Sequence, residues 1–219
     1  MGITVIIPLV LAYLLGSIPT AVIVSRLLVH ADIRSLGDRN MGARNTAQTL
    51  GWKAGWIVAA VDISKGAGSI WMAQAFGLDP FWQVMAGVCA VLGHDFPILA
   101  GFHGGQGLAA SLGTFMVLAP RESLYGLSAY LALYLLSRNF DLSAGVGIGL
   151  LVLQTWRFGE PTEILIGEVA IVLLVPFKKI LDRHTHVTML EDHTLGKNLP
   201  EGEVKSENGF NQHTTGLRK

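Results

Sequence analysis

Charge, cysteine and metal-ligand spacing are all scarce in this chain. Only 15% of its residues are charged, and 16 basic residues balance 16 acidic ones. That zero balance leaves no basic footprint for nucleic acid, so no nucleic-acid partner is expected. Cys89 is the single cysteine, which excludes an internal disulfide. It lies in an apolar run, where a thiol acts as a small hydrophobe rather than a nucleophile. No Cys/His spacing suits zinc. His184, His186 and His193 lie near one another, but no fourth ligand is spaced to join them. No metal and no cofactor are expected. Internal repeats and low-complexity segments are also missing. The N-terminus lacks the basic stretch of a cleaved signal, so its long apolar run reads as a retained first span.

What the chain has instead is apolar length. Hydrophobic residues make up 51%, high for a soluble domain and ordinary for a polytopic membrane protein. A span needs about 20 apolar residues to cross a core of about 30 Å. Residues 3–29 meet this, although Gly16, Ser17 and Pro19 interrupt them. Membrane helices tolerate such breaks when neighbours satisfy the backbone. Residues 30–53 read as a polar loop carrying Arg34, Arg39, Arg44 and Lys53. Residues 54–77 and 80–100 read as two further spans. Shorter apolar segments follow at 108–119, 123–137, 142–156 and 162–177. The expected fold is an all-α, polytopic membrane helix bundle of about seven transmembrane helices. Loop 30–53, Arg138, Lys178, Lys179 and Arg183 fall on one side, and only Arg121 and Arg157 on the other. The positive-inside rule then puts the N-terminus outside and the C-terminus in the cytoplasm. Residues 1–187 form the membrane domain. Residues 188–219 have few apolar residues and no periodicity, and are expected to be a disordered cytoplasmic tail.

Ionisable residues inside such a bundle are expensive and usually paired. Asp62 and Lys65 are three apart and share a helical face. They form either a structural salt bridge or a device that positions a loop. The densest motif is GHDFPILAGFHGGQGLAASLG at 93–113, where Gly104, Gly105 and Gly107 precede a helix start. Glycine allows close backbone approach, and a helix N-terminus offers free N–H groups with partial positive charge. The stretch is either a plain turn between helices or an anion seat at the membrane surface.

Three segments, in order, resemble one family. The 93–107 pattern G-H-x-x-P-x-x-x-G-F-x-G-G-x-G resembles the second signature of the PlsY family, membrane acyltransferases that move an acyl chain from acyl phosphate to glycerol 3-phosphate. RSLGDRNMGARN at 34–45 is similar to its R-x-x-G-S-G-N-x-G-A-T-N segment, and VDISKGAG at 61–68 to its D-x-x-K-G span. Tyr13, Gly16 and Ser17 fit its Y-x-x-G-S motif. The resemblance covers roughly residues 10–180. It implies an acyltransferase of phospholipid synthesis that forms lysophosphatidate, multi-pass in a bacterial inner or plasma membrane, with its active face cytoplasmic. Its implied partners are acyl phosphate, glycerol 3-phosphate, membrane lipid and an acyl-phosphate-producing enzyme. The implied catalytic residues are Asn40, Asn45 and His94. Asn40 and Asn45 either orient substrate or brace the loop. The implied substrate-binding residues are Gly37, Asp38, Arg39, Gly42, Arg44, Gly104, Gly105, Gln106 and Gly107.

The chain departs from the family at its cations. Gln106 stands where the family has lysine, Gln48 where a basic residue is usual, and Asp38 and Arg39 replace serine and glycine. Asp141, Leu142, Ser143 and Ala144 match a serine-bearing third signature poorly. A histidine and an asparagine of the family have no clear counterparts near Lys178 and Leu181. The changes at 106 and 48 remove two positive charges and Asp38 adds a negative one, a net change of about three units in the local charge. Three functional readings follow: the glycerol 3-phosphate enzyme with Arg39 and Arg44 as replacement cations, the same fold with another acceptor, or a silent lipid- or partner-binding homologue.

Overall fold

The computed structural model describes residues 2–197, with side chains through Leu181. It contains helices and no strand among the described residues. Nine α-helices are described: α1 Ile3–Gly16, α2 Thr20–Val29, α3 Ala43–Leu50, α4 Trp52–Ala75, α5 Pro80–Asp95, α6 Leu108–Leu118, α7 Pro120–Ser137, α8 Phe140–Phe158 and α9 Thr162–Lys197. The chain divides after Leu181: α1–α8 and the start of α9 make one unit, and the rest of α9 belongs to the second. The expected tail began at 188, but α9 runs on to Lys197; residues 198–219 lie outside the described residues.

The seven apolar stretches correspond to α1 with α2, then α4 to α9. By length and composition two are apolar enough to cross a membrane: Ile3–Val29, 27 residues, and Pro80–Ala100, 21 residues. Exposed aromatic residues mark the ends of α4. Trp52 and Trp56 lie at one end and Trp71 near the other. Nineteen residues at 1.5 Å each separate Trp52 from Trp71, roughly 28 Å, the thickness of a hydrocarbon core with its aromatic belts.

Local chemistry sets the boundaries. The break expected at Gly16–Pro19 separates α1 from α2, with Pro19 as the N-cap of α2. Asp79 caps α5 by accepting from the Trp82 N–H at 3.2 Å, and Pro80 takes the first helical position. Asn139 caps α8 in the same way, from Leu142 at 3.1 Å. One expectation needs correcting. Residues 30–53 are not all loop, because α3 occupies 43–50. Its ARNTAQTL sequence has little apolar content, and the face it buries carries Asn45 and Thr46. The apolar segments 108–119 and 123–137 are separate helices, parted at Ala119, and Pro120 starts α7 with Glu122 in its first turn at 1% exposure.

Glycines bring the helices together. A Cβ on Gly66 of α4 would strike the Ala110 carbonyl of α6, and one on Gly113 of α6 would strike the Ile63 carbonyl of α4. Gly16 and Gly93 do the same between α1 and α5, against Ala90 and Tyr13. Gly126 and Gly147 face each other's carbonyls between α7 and α8. Small residues at facing positions let backbones approach where lipid supplies no hydrophobic drive. The Gly16 of the first motif thus serves packing. This packing fixes α1, α4, α5 and α6 closely enough to hold the segments between them.

Candidate functional site

The 34–45 segment is held from within. Asn45 is fully buried. Its Oδ1 accepts from the Asp38 N–H at 3.0 Å, and its Nδ2 donates to the carbonyls of Leu36 at 3.0 Å and Asn40 at 2.9 Å. All its polar atoms are used on the loop, so Asn45 is a brace. Gly37 sits directly over Asn45 Oδ1 with φ +57°, in a turn closed by Arg39 N–H to the Leu36 carbonyl at 3.0 Å. Arg39 itself has φ +63°, which explains why a glycine suits this position: a side chain in the left-handed region costs roughly 1–2 kcal/mol. Asp38 accepts from the Asn40 N–H at 3.0 Å. Asn40 keeps a buried Oδ1 with no partner among the described residues, so it retains an acceptor to offer. Gly42 is the N-cap of α3, and its carbonyl accepts from Thr46 Oγ1 at 3.0 Å.

The glycine turn rests on the end of α5. The Gly105 N–H donates to the His94 carbonyl at 3.1 Å. A Cβ on Gly105 would strike His94 Nε2, and one on Gly104 would strike the carbonyls of His94 and Asp95. His94 is therefore packed beneath the turn. Gly107, φ +69°, is the N-cap of α6. The Gly105 N–H is spent on His94, but no backbone carbonyl among the described residues accepts the N–H groups of Gln106, Gly107 and Leu108. These donors at a helix N-terminus can hold an anion. Asp95 complicates the seat: its buried carboxylate lies so close to Gly107 that a Cβ there would come within 2.8 Å of Oδ1. An anion bound here needs a nearby cation.

One side chain joins the two segments. Arg34 donates through Nη1 to the Ala100 carbonyl at 2.9 Å. Its other donors grip Asp32, from Nε at 3.0 Å and Nη2 at 2.8 Å. Ala100 also packs against the cluster of Ala21, Val22, Ile33, Met41 and Val58. Arg34 holds the Asp32 carboxyl well below its ordinary value of 3.8. Such a group adds stability that is complete above its unfolded pKa and is lost as pH falls toward the folded one. Thermal melting of wild type should therefore fall below about pH 4 more steeply than that of Asp32→Asn. Parallel curves would show that the clasp contributes nothing.

The cations are placed differently from expectation. Arg44 is exposed, lies over the Phe140 ring at 4.9 Å and is 3.9 Å from Asp141 Oδ1, while Lys179 meets Asp141 Oδ2 at 2.9 Å. Arg44 points to the start of α8. Arg39 is exposed. Sequence reasoning passed over Lys178 of α9, which is 5% exposed and sits 5.2 Å over the ring of Phe96, the residue after Asp95. The signal for it was a lysine directly after the last apolar stretch, where a long side chain can bury its stem along apolar surface. Asp62 and Lys65 do form a salt bridge, at 2.7 Å with both side chains buried.

The sequence profile for glycerol-3-phosphate acyltransferases matches residues 6–186. The chain belongs to this family. Glycerol-3-phosphate acyltransferase 4 of Dehalococcoides mccartyi is 35% identical over 165 residues, covering 75% of this chain and 89% of the relative. A glycerol-3-phosphate acyltransferase of Pseudomonas putida is 39% identical over 166 residues, covering 75% and 87%. Crystal structures of PlsY, an integral membrane glycerol 3-phosphate acyltransferase, share the fold. Its glycerol 3-phosphate form aligns with a TM-score of 0.76 at 29% identity, over 84% of this chain and 92% of that one. Its lysophosphatidic acid form aligns at 0.73 and 28% over the same shares. All-helical architecture and membrane integration are thus properties of the family, and the three motif segments fall inside the matched region.

Proposed function

We propose that this chain transfers an acyl group from acyl phosphate to glycerol 3-phosphate, forming lysophosphatidate for phospholipid synthesis. The observation that carries this reading is the Arg34–Ala100 bond, which puts the two motif segments side by side. In the reaction the glycerol hydroxyl oxygen bonds to the acyl carbon, the bond from that carbon to the phosphate oxygen breaks, and the hydroxyl proton leaves with inorganic phosphate. Acyl phosphate is already activated, so the protein's task is positioning, which can be worth about 7–11 kcal/mol. The N–H groups of Gln106, Gly107 and Leu108 hold one phosphate. Lys178 supplies the cation for the other, in place of the missing lysine at 106, and Asn40 orients the acceptor. The bundle crosses a bacterial inner or plasma membrane about seven times, with the N-terminus outside and the site in the cytoplasm.

The test is lysophosphatidate formation by the detergent-purified chain given acyl phosphate and glycerol 3-phosphate. Labelled glycerol 3-phosphate should appear in a lipid product, with one phosphate released per turnover. Acyl phosphate consumed with another acceptor acylated, or not consumed at all, would defeat the reading.

A further inference from the structure

The buried polar groups around α4 reach beyond the salt bridge expected there. Lys65 Nζ has three protons and three acceptors: the Ile18 carbonyl at 2.6 Å, Asp62 Oδ1 at 2.7 Å and Thr20 Oγ1. Thr20 in turn donates to Asp62 Oδ1 at 3.0 Å. Ile18 and Thr20 bracket the break between α1 and α2. On its other side Asp62 Oδ1 lies 3.7 Å from His94 Nδ1. The opposite ring atom, Nε2, is the one packed against Gly105, and the His94 carbonyl accepts the Gly105 N–H. Tyr13 of α1 adds a parallel tie, donating to the Phe96 carbonyl at 2.7 Å. The side chains of Asp62, Lys65 and His94 are all at least nine-tenths buried.

We propose that Asp62 and Lys65 are positioning residues that set the glycine turn through His94, tying its height to the break between α1 and α2. The ring is a spacer with one edge on a fixed anion and the other under Gly105. At 3.7 Å the Asp62 carboxylate favours a proton on the near nitrogen, Nδ1, and biases the ring's orientation electrostatically. Lys65 fixes the carboxylate by engaging it from the side of the helix break. Neither residue touches substrate. The approach of Asp62 to His94, whose far nitrogen lies under Gly105, points to a route toward the turn. This inference rests on the proposed acyl transfer for its kinetic readout, and on spectroscopy for a readout that does not.

The experiment uses the full chain in detergent, labelled with 15N-histidine. Asp62→Asn keeps the shape and removes the charge. It is expected to lower kcat by about 10- to 100-fold while KM for glycerol 3-phosphate stays within about threefold, because the turn is displaced rather than the acceptor site removed. The His94 Nδ1 resonance should move, and Asp62→Glu should bring it most of the way back. Thr20→Val, a milder change that removes one bond to the same oxygen, should give smaller shifts in the same direction and covers the case in which Asp62→Asn does not fold. An unmoved Nδ1 resonance in both variants, or a loss of kcat that Asp62→Glu leaves unrescued, overturns the route through His94. Wild-type chain that makes no lysophosphatidate would instead sink the acyl-transfer reading, and the resonance shifts would still decide this one.

Discussion

Gly105→Ala is expected to cut kcat/KM for lysophosphatidate formation by about 100-fold or more, since a displacement of about 1 Å in a positioning site costs that much. The cause is local. The position of a β-carbon at 105 is already occupied by His94 Nε2. The ring cannot retreat easily, because Asp62 and the rest of the buried network lie behind it. The backbone of 104–106 must rise instead, carrying the Gln106, Gly107 and Leu108 donors out of line. Overpacking of this kind costs roughly 1–3 kcal/mol of stability, so the protein should still fold. Gly145→Ala, in α8 with nothing within 4 Å of the added carbon, is the matched control and should keep its activity. Equal activity in the two variants would mean that the turn does not hold substrate.

Lys178→Ala should raise KM for glycerol 3-phosphate by about 10- to 100-fold. A charged hydrogen bond is worth about 1.5–3 kcal/mol, and each 1.4 kcal/mol is about tenfold. Gln106 brings no cation to the turn. Lys178, over Phe96, is the buried cation at that end of α5. Gln106→Lys added to Lys178→Ala should recover most of the loss, because it restores a lysine to the turn from the other side. Unchanged KM in Lys178→Ala, measured with saturating acyl phosphate, would return the role to Arg39 or Arg44.

Much of the fold could be read from apolar run lengths and from helix signals such as Asp79-Pro80, Asn139 and Gly107. Two things could not. The α3 helix hid in a polar stretch because the face it buries carries Asn45 and Thr46 rather than aliphatic residues. The tertiary direction of long cations was invisible as well. Arg44 and Lys178 carry the same charge in a sequence, and only packing turns one outward to Asp141 and the other inward to Phe96. The glycines were more readable, because a glycine that fits under a carbonyl or over a ring leaves no choice of residue. Asn45 shows the limit of motif reasoning: the pattern marks it, but only the structure shows the four loop groups that its amide holds.

The claim on which the rest depends is that the turn grips phosphate by main-chain N–H groups, with the side chain at 106 a bystander. Gln106→Ala tests it most directly, assayed beside wild type for lysophosphatidate formation across acyl phosphate concentrations. The account predicts kcat/KM within about threefold of wild type. A loss approaching that of Gly105→Ala would show that the amide side chain, not the backbone, holds the donor, and would contradict it.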